Sequence, residues 1–181
     1  VHALVLAGTD LYAGGLFTSI GAQPRNRIAK LSTTGTGAAD PAWHPDAEGG
    51  GAFALALHGT TLYAGGSFTN IGGIPFGRLA RIQKSNKEID PTWNPNANNT
   101  VLAIAVDGGD VYVGGDFTQV GGQGRNRIAK LSASGAGAAD ATWNPNANNS
   151  VFAIAVSGSD VFVGGRFTNI GGQARNQIAK M

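Results

Sequence analysis

Three tryptophans, each opening a corner rich in proline and polar side chains, are the residues best equipped for recognition chemistry. The chain reads "AWHPDAEGG" from Ala42, and "TWNPNANN" from both Thr92 and Thr142. Trp93 with Asn94, Asn96, Asn98 and Asn99, and Trp143 with Asn144, Asn146, Asn148 and Asn149, set a flat apolar ring beside amide donors and acceptors. Sugars are held by that pair of properties, C–H faces on the ring and hydroxyls on the amides. Trp43 stands in the same place in the first copy, and several such corners on one molecule would bind a glycan with avidity. The competing reading is architectural: the indole pins an outer strand, and Asn shapes the corner because it bonds its own backbone and tolerates left-handed conformations.

A second candidate is basic. Arg25, Arg125 and Arg175 each precede an Asn, while Asp40, Asp90 and Asp140 each stand three residues before a Trp. Arginines at one repeat position could ring a face and recognise an anion. Alternatively, ion pairs and hydrogen bonds between neighbouring strands brace each unit. Phe76 and Gly77 replace the Arg-Asn pair in the second copy, so a fully repeated anion site is not expected.

Other chemistry finds less support. His2, His44 and His58 occupy non-equivalent places, whereas a metal site needs convergent ligands. "GTGAAD" from Gly35 and "GAGAAD" from Gly135 lack the third glycine and following helix of a dinucleotide site, and read as turns. "DGGD" from Asp107 lacks the ladder of oxygen ligands that calcium requires, and reads as a hairpin turn. No nucleophile–base pair, phosphate loop or metal cluster stands out. The sequence therefore predicts no catalytic residue, metal or cofactor, and a non-enzymatic protein.

Composition narrows the class. Charged residues are 13% of the 181 and the net charge is +2, too sparse for a nucleic-acid stripe. There is no Cys, hence no disulfide or thiolate chemistry. No apolar run is long enough to cross a membrane as a helix. With 29 Gly residues and no period of three, the chain reads as short strands and tight turns. It opens on Val1 inside an apolar run, which predicts a processed, excised or incompletely known polypeptide.

These candidates are carried by an internal repeat of about fifty residues: 1–50, 51–100, 101–150 and an incomplete 151–181. Between Val101–Leu131 and Val151–Met181, 21 of 31 positions are identical. Each copy holds an apolar run ("AIAV" from Ala103), a second ending in Gly-Gly ("VYVGG" from Val111), a third ("RIAKL" from Arg127), and a polar run reaching the Trp. Gly-containing links join the first two, as a short hairpin requires. The period suits a four-stranded propeller blade. Hydrophobicity falls from first run to last, placing the first nearest the crowded axis and the last nearest water. The expected fold is all-β, a single β-propeller, or part of one, with about 3.6 blades.

The pattern V-x-A-I-A-V-x-G-x-D-V-Y-V-G-G-x-F-T-x-[IV]-G-G, followed by R-N-R-I-A-K-L and D-x-x-W-N-P-N, resembles the bacterial delta-60 repeat over essentially the whole chain. A looser similarity to kelch lies in the doublets Gly14–Gly15, Gly65–Gly66, Gly114–Gly115 and Gly164–Gly165. The resemblance implies a propeller in a large secreted or cell-surface protein, without assigned chemistry. The expected role is a scaffold, adhesion or protein-interaction module, the alternative being a multivalent glycan binder.

Strand arithmetic leaves an open arc, with apolar blade faces at both ends and an unpaired edge. A longer chain, a second copy closing a ring, or a compact four-bladed ring would each resolve this. For the isolated chain the expectation is a homo-oligomer, a dimer closing one ring.

Overall fold

Apolar runs of four to six residues between glycine turns fold as antiparallel hairpins, since they are too short for a helical stripe and suit a sheet buried on both faces. The computed structural model describes residues 1–181 and contains strands and no helix. Four three-stranded sheets share one order, with an inner strand, a middle strand and a third strand. The first blade comprises Ala3–Ala7, Asp10–Gly14 and Ile28–Ser32; the second Ala52–His58, Thr61–Gly66 and Leu79–Gln83. The third comprises Val101–Asp107, Asp110–Gly115 and Ile128–Ser132; the fourth Val151–Ser157, Asp160–Gly165 and Ile178–Lys180. Register repeats with the sequence: Ala3 faces Gly14, Ala54 faces Gly65, Ala103 faces Gly114 and Ala153 faces Gly164. The inner hairpins turn through Gly8, Gly59, Gly108 and Gly158, all at positive φ, as their spacing predicts.

The chain divides into two compact units, Val1–Pro91 and Thr92–Met181, each holding two blades. In the first, Tyr12, Ile28 and Trp43 share one core with Leu62, Phe68 and Ile71. In the second, Ile128 joins Val151, Val163, Phe167 and Ile170.

Three features differ from expectation. The polar fourth run is no strand in the first three repeats: it touches its sheet through single bridges, Leu31 to Ala39, Ile82 to Ile89 and Leu131 to Ala139. A turn with positive-φ residues precedes it, and in two repeats a proline without an amide donor follows, so one residue is left to pair. The link from middle to third strand is itself a small hairpin in every repeat, such as Gln119–Val120 against Gln123–Gly124. Ala47–Glu48, from the corner after Trp43, pairs with Asn70–Ile71 of the next repeat's hairpin. Finally, the inner strand is not the most crowded. The middle and third strands hold the fully buried positions, such as Ala13 with Ala29 and Ala64 with Ala80, while the inner strand is a half-buried sheet edge.

Candidate functional site

The tryptophan corner is built from the third strand of one repeat and the last run of the preceding one. Trp43 is 1% exposed and Trp93 0%. Trp43 Nε1 donates to Gln83 O at 3.4 Å, and Trp93 Nε1 to Ser132 O at 2.9 Å. Each acceptor lies at the end of the following repeat's third strand, so the indole staples successive repeats. The Trp43 ring meets Tyr12 edge-on at 5.1 Å, and Trp143, half-buried, meets Tyr112 edge-on at 5.4 Å. The stacking platforms expected at Trp43 and Trp93 have no free face for a sugar, because an apolar ring of that size beside a blade joint is itself the core.

The asparagines serve the same joint. Asn96 and Asn146 adopt left-handed φ of 52° and 54°, and Asp46 replaces them at 44°. Asn144 is exposed; Asn94 is partly buried, with Oδ1 enclosed and unpartnered. Among the asparagines of the corner, Asn98 and Asn148 make the decisive bonds. Asn98 Oδ1 accepts from Thr118 N at 2.9 Å and Gln119 N at 3.1 Å, while its Nδ2 donates to Thr118 Oγ1 at 2.9 Å. Asn148 repeats this fork on Thr168 and Asn169. These two were expected to face a ligand, and they bond the Phe-Thr segment of the next repeat instead. Asn126 Nδ2 donates to Asn146 Oδ1 at 2.7 Å beside a cleft of about 370 Å³.

The arginines turn inward rather than forming an anion ring. Arg25 and Arg125 are buried, and Arg175 is half-buried. Arg125 Nη1 donates to Gly124 O at 2.7 Å, and Nη2 to Asp140 O at 2.8 Å and Gln123 Oε1 at 2.9 Å. Arg25 clamps Pro24 O and Asp40 O likewise, and Arg175 holds Lys180 O and Gln173 Oε1. Phe76 fills the equivalent slot in the second repeat and is buried too, which marks the position as packing space. Arg125→Met keeps the stem but strips donors from two carbonyls; it is expected to cost about 1–3 kcal/mol, read from the urea midpoint.

The aspartates meet different cations from those expected. Arg25 and Arg125 take the backbone carbonyls of Asp40 and Asp140, while the carboxylates pair with the third strand: Lys30 with Asp40, Arg81 with Asp90, and Lys130 with Asp140 at 3.4 Å. Lys130 also reaches Asp110 at 3.0 Å, and Lys180 reaches Asp160 at 2.6 Å. Hydrogen bonds from the Thr142 hydroxyl and amide, then Lys130, hold the Asp140 carboxyl down at about 2. Its stabilising contribution is complete above the ordinary value of 3.8 and is lost as pH falls toward 2. Thr142→Ala is expected to raise that pKa toward the ordinary value, checked by NMR titration of the side-chain carboxyl. Burial, then the Asp10 and Asp40 charges, push the Tyr12 hydroxyl up to about 12.

One cluster breaks the repeat. His44 Nδ1 lies 3.0 Å from Asp46 Oδ2, and His44 Nε2 lies 3.0 Å from Lys87 Nζ, in an open cleft of about 550 Å³ in the first unit. Asn94 and Asn96 replace His44 and Asp46 in the next repeat. His2 packs edge-on against Phe53 at 5.1 Å, and His58 is exposed at a strand end. No three His, Asp or Glu side chains gather as a metal-ligand set.

Comparison with known proteins adds a partial match to a family model. Residues 10–37 and 109–137 match a family model described as a domain of unknown function (DUF5122) beta-propeller. No curated protein matches. Among solved structures, the chain is similar to the computationally designed Ika8 protein, with a TM-score of 0.60 at 13% identity, over 94% of this chain and 46% of that one. At this identity the likeness concerns the fold, and the chain spans about half the length of the designed protein.

Proposed function

We propose that this β-propeller chain, two stretches of which match the DUF5122 family model, is a non-enzymatic scaffold and protein-interaction module of a secreted or cell-surface protein. The observation that carries this reading is where the repeated polar groups go. Arg25 and Arg125 clamp carbonyls, Asn98 and Asn148 grip the next hairpin, and the indole N–H groups of Trp43 and Trp93 bond backbone. Polar chemistry that recurs from repeat to repeat is thus consumed in bracing single repeats and in joining them to the next, leaving the outer surface as what the module presents. A cysteine-free chain rich in Gly, Asn and Thr supports an extracellular setting.

The test is retention of the purified chain on immobilised bacterial cell-wall material and matrix protein. Saturable retention that free sugars do not displace supports the proposal; elution by a sugar would favour the glycan-binding alternative. No retention on any surface overturns the adhesive role.

A further inference from the structure

Within each unit one blade docks on the next by the same device. Leu55 lies over Gly14, its Cγ 3.3 Å from where a Cβ on that glycine would stand. Ile154 lies over Gly114 in the same way, its Cδ1 at 3.2 Å. An aliphatic knob on one inner strand thus enters a socket floored by the first glycine of the preceding blade's doublet. Around the socket, Tyr12 and Ile28 in the first unit are 1% and 0% exposed.

Both halves of this device occur once more, uncovered. Register makes Leu4 the counterpart of Leu55 and Ile154, and Leu4 is 60% exposed with Leu6 beside it at 62%. Gly164 is the counterpart of Gly14 and Gly114, and no neighbouring blade approaches its Cβ position. Its flanking residues Phe162 and Ile178, equivalent to Tyr12 and Ile28, are 40% and 73% exposed.

We propose that a second copy of this chain covers these faces head to tail, Leu4 and Leu6 of one copy entering the Gly164 socket between Phe162 and Ile178 of the other. The occupant follows from continuity: a knob and a socket of one interface type, each made twice inside the chain, are left over on the same molecule. Such a contact is heterologous, so one copy uses different faces toward its two neighbours, and it closes into a ring or propagates. This deepens the reading of the chain as an interaction module by naming one partner.

The test is light scattering after size exclusion over a concentration series, with Leu4→Asp and Ile178→Asp. Both positions are exposed, so each variant is expected to keep the parent's circular dichroism and melting profile. The parent chain is expected to exceed 18.3 kDa as concentration rises. Each variant alone should stay monomeric, its self-association weakened at least about 30-fold. An equimolar mixture should form a 1:1 dimer, because one variant retains an intact socket and the other an intact knob. A monomeric parent would overturn the proposal and leave these faces to blades of a longer polypeptide. So would self-association of either variant alone, or a mixture that stays monomeric. Retention of a monomeric variant on wall or matrix material would show that the wider reading survives that failure.

Discussion

Trp93→Ala is expected to lower the stability of the second unit by about 3–5 kcal/mol, the range for emptying a buried large aromatic site. The ring is 0% exposed, and its N–H reaches Ser132 O at 2.9 Å. Truncation therefore opens a cavity and leaves the Ser132 carbonyl without that donor. Trp93→Phe keeps much of the volume and loses the N–H, and should fall between parent and alanine variant. Trp143→Ala should cost less, because Trp143 is only half-buried. Denaturant midpoints for the three variants check this order. It also bears on function: a Trp93→Ala variant that stops binding anything would report a damaged joint, whereas a stable, well-folded variant would show that the indole is dispensable to the repeat.

The sequence made the blade legible because its signals are local. Alternating Ala and Leu, a Gly-containing link, and a second apolar run ending in a glycine doublet describe one hairpin whose pairing register fixes the rest. The polar fourth run was harder to read. Its Asp and Trp suggested an outer strand, yet the turn before it allows one bridge. The small hairpins were hidden because two-residue strands such as Asn169–Ile170 carry no periodicity. Function was obscured by a different cause. Trp beside Asn is the same composition whether it faces a sugar or a blade joint, and only a partner forty residues away in sequence distinguishes the two. Arg25 was likewise ambiguous until its acceptors proved to be main-chain carbonyls. The buried Phe76 in the equivalent slot was the one clue present in the sequence itself.

The glycine doublets give the second large effect and explain why the repeats share them. At Gly115 an added Cβ would stand 2.1 Å from Thr100 O, and at Gly66 and Gly165 it would meet Gly51 O at 2.0 Å and Ser150 O at 2.2 Å. These are backbone atoms, so no side-chain rotation relieves the overlap. Nor is the carbonyl free to retreat, since Thr100 O accepts the Asp116 amide at 2.8 Å while Gly115 N donates to Arg127 O at 2.9 Å. The added methyl must either break that bond or push the start of the inner strand off the middle strand, where the ladder already shifts register between Val101 and Ala103. Gly115→Ala is expected to cost about 3 kcal/mol, the upper range for overpacking. Gly109→Ala is the control: no atom lies within 4 Å of its Cβ position, and the change should stay within about 0.5 kcal/mol. Unfolding midpoints of the pair decide the point. A tolerated Gly115→Ala would mean that the strands can separate there, and the doublet would then serve flexibility rather than the close approach of the inner strand's start to the middle strand.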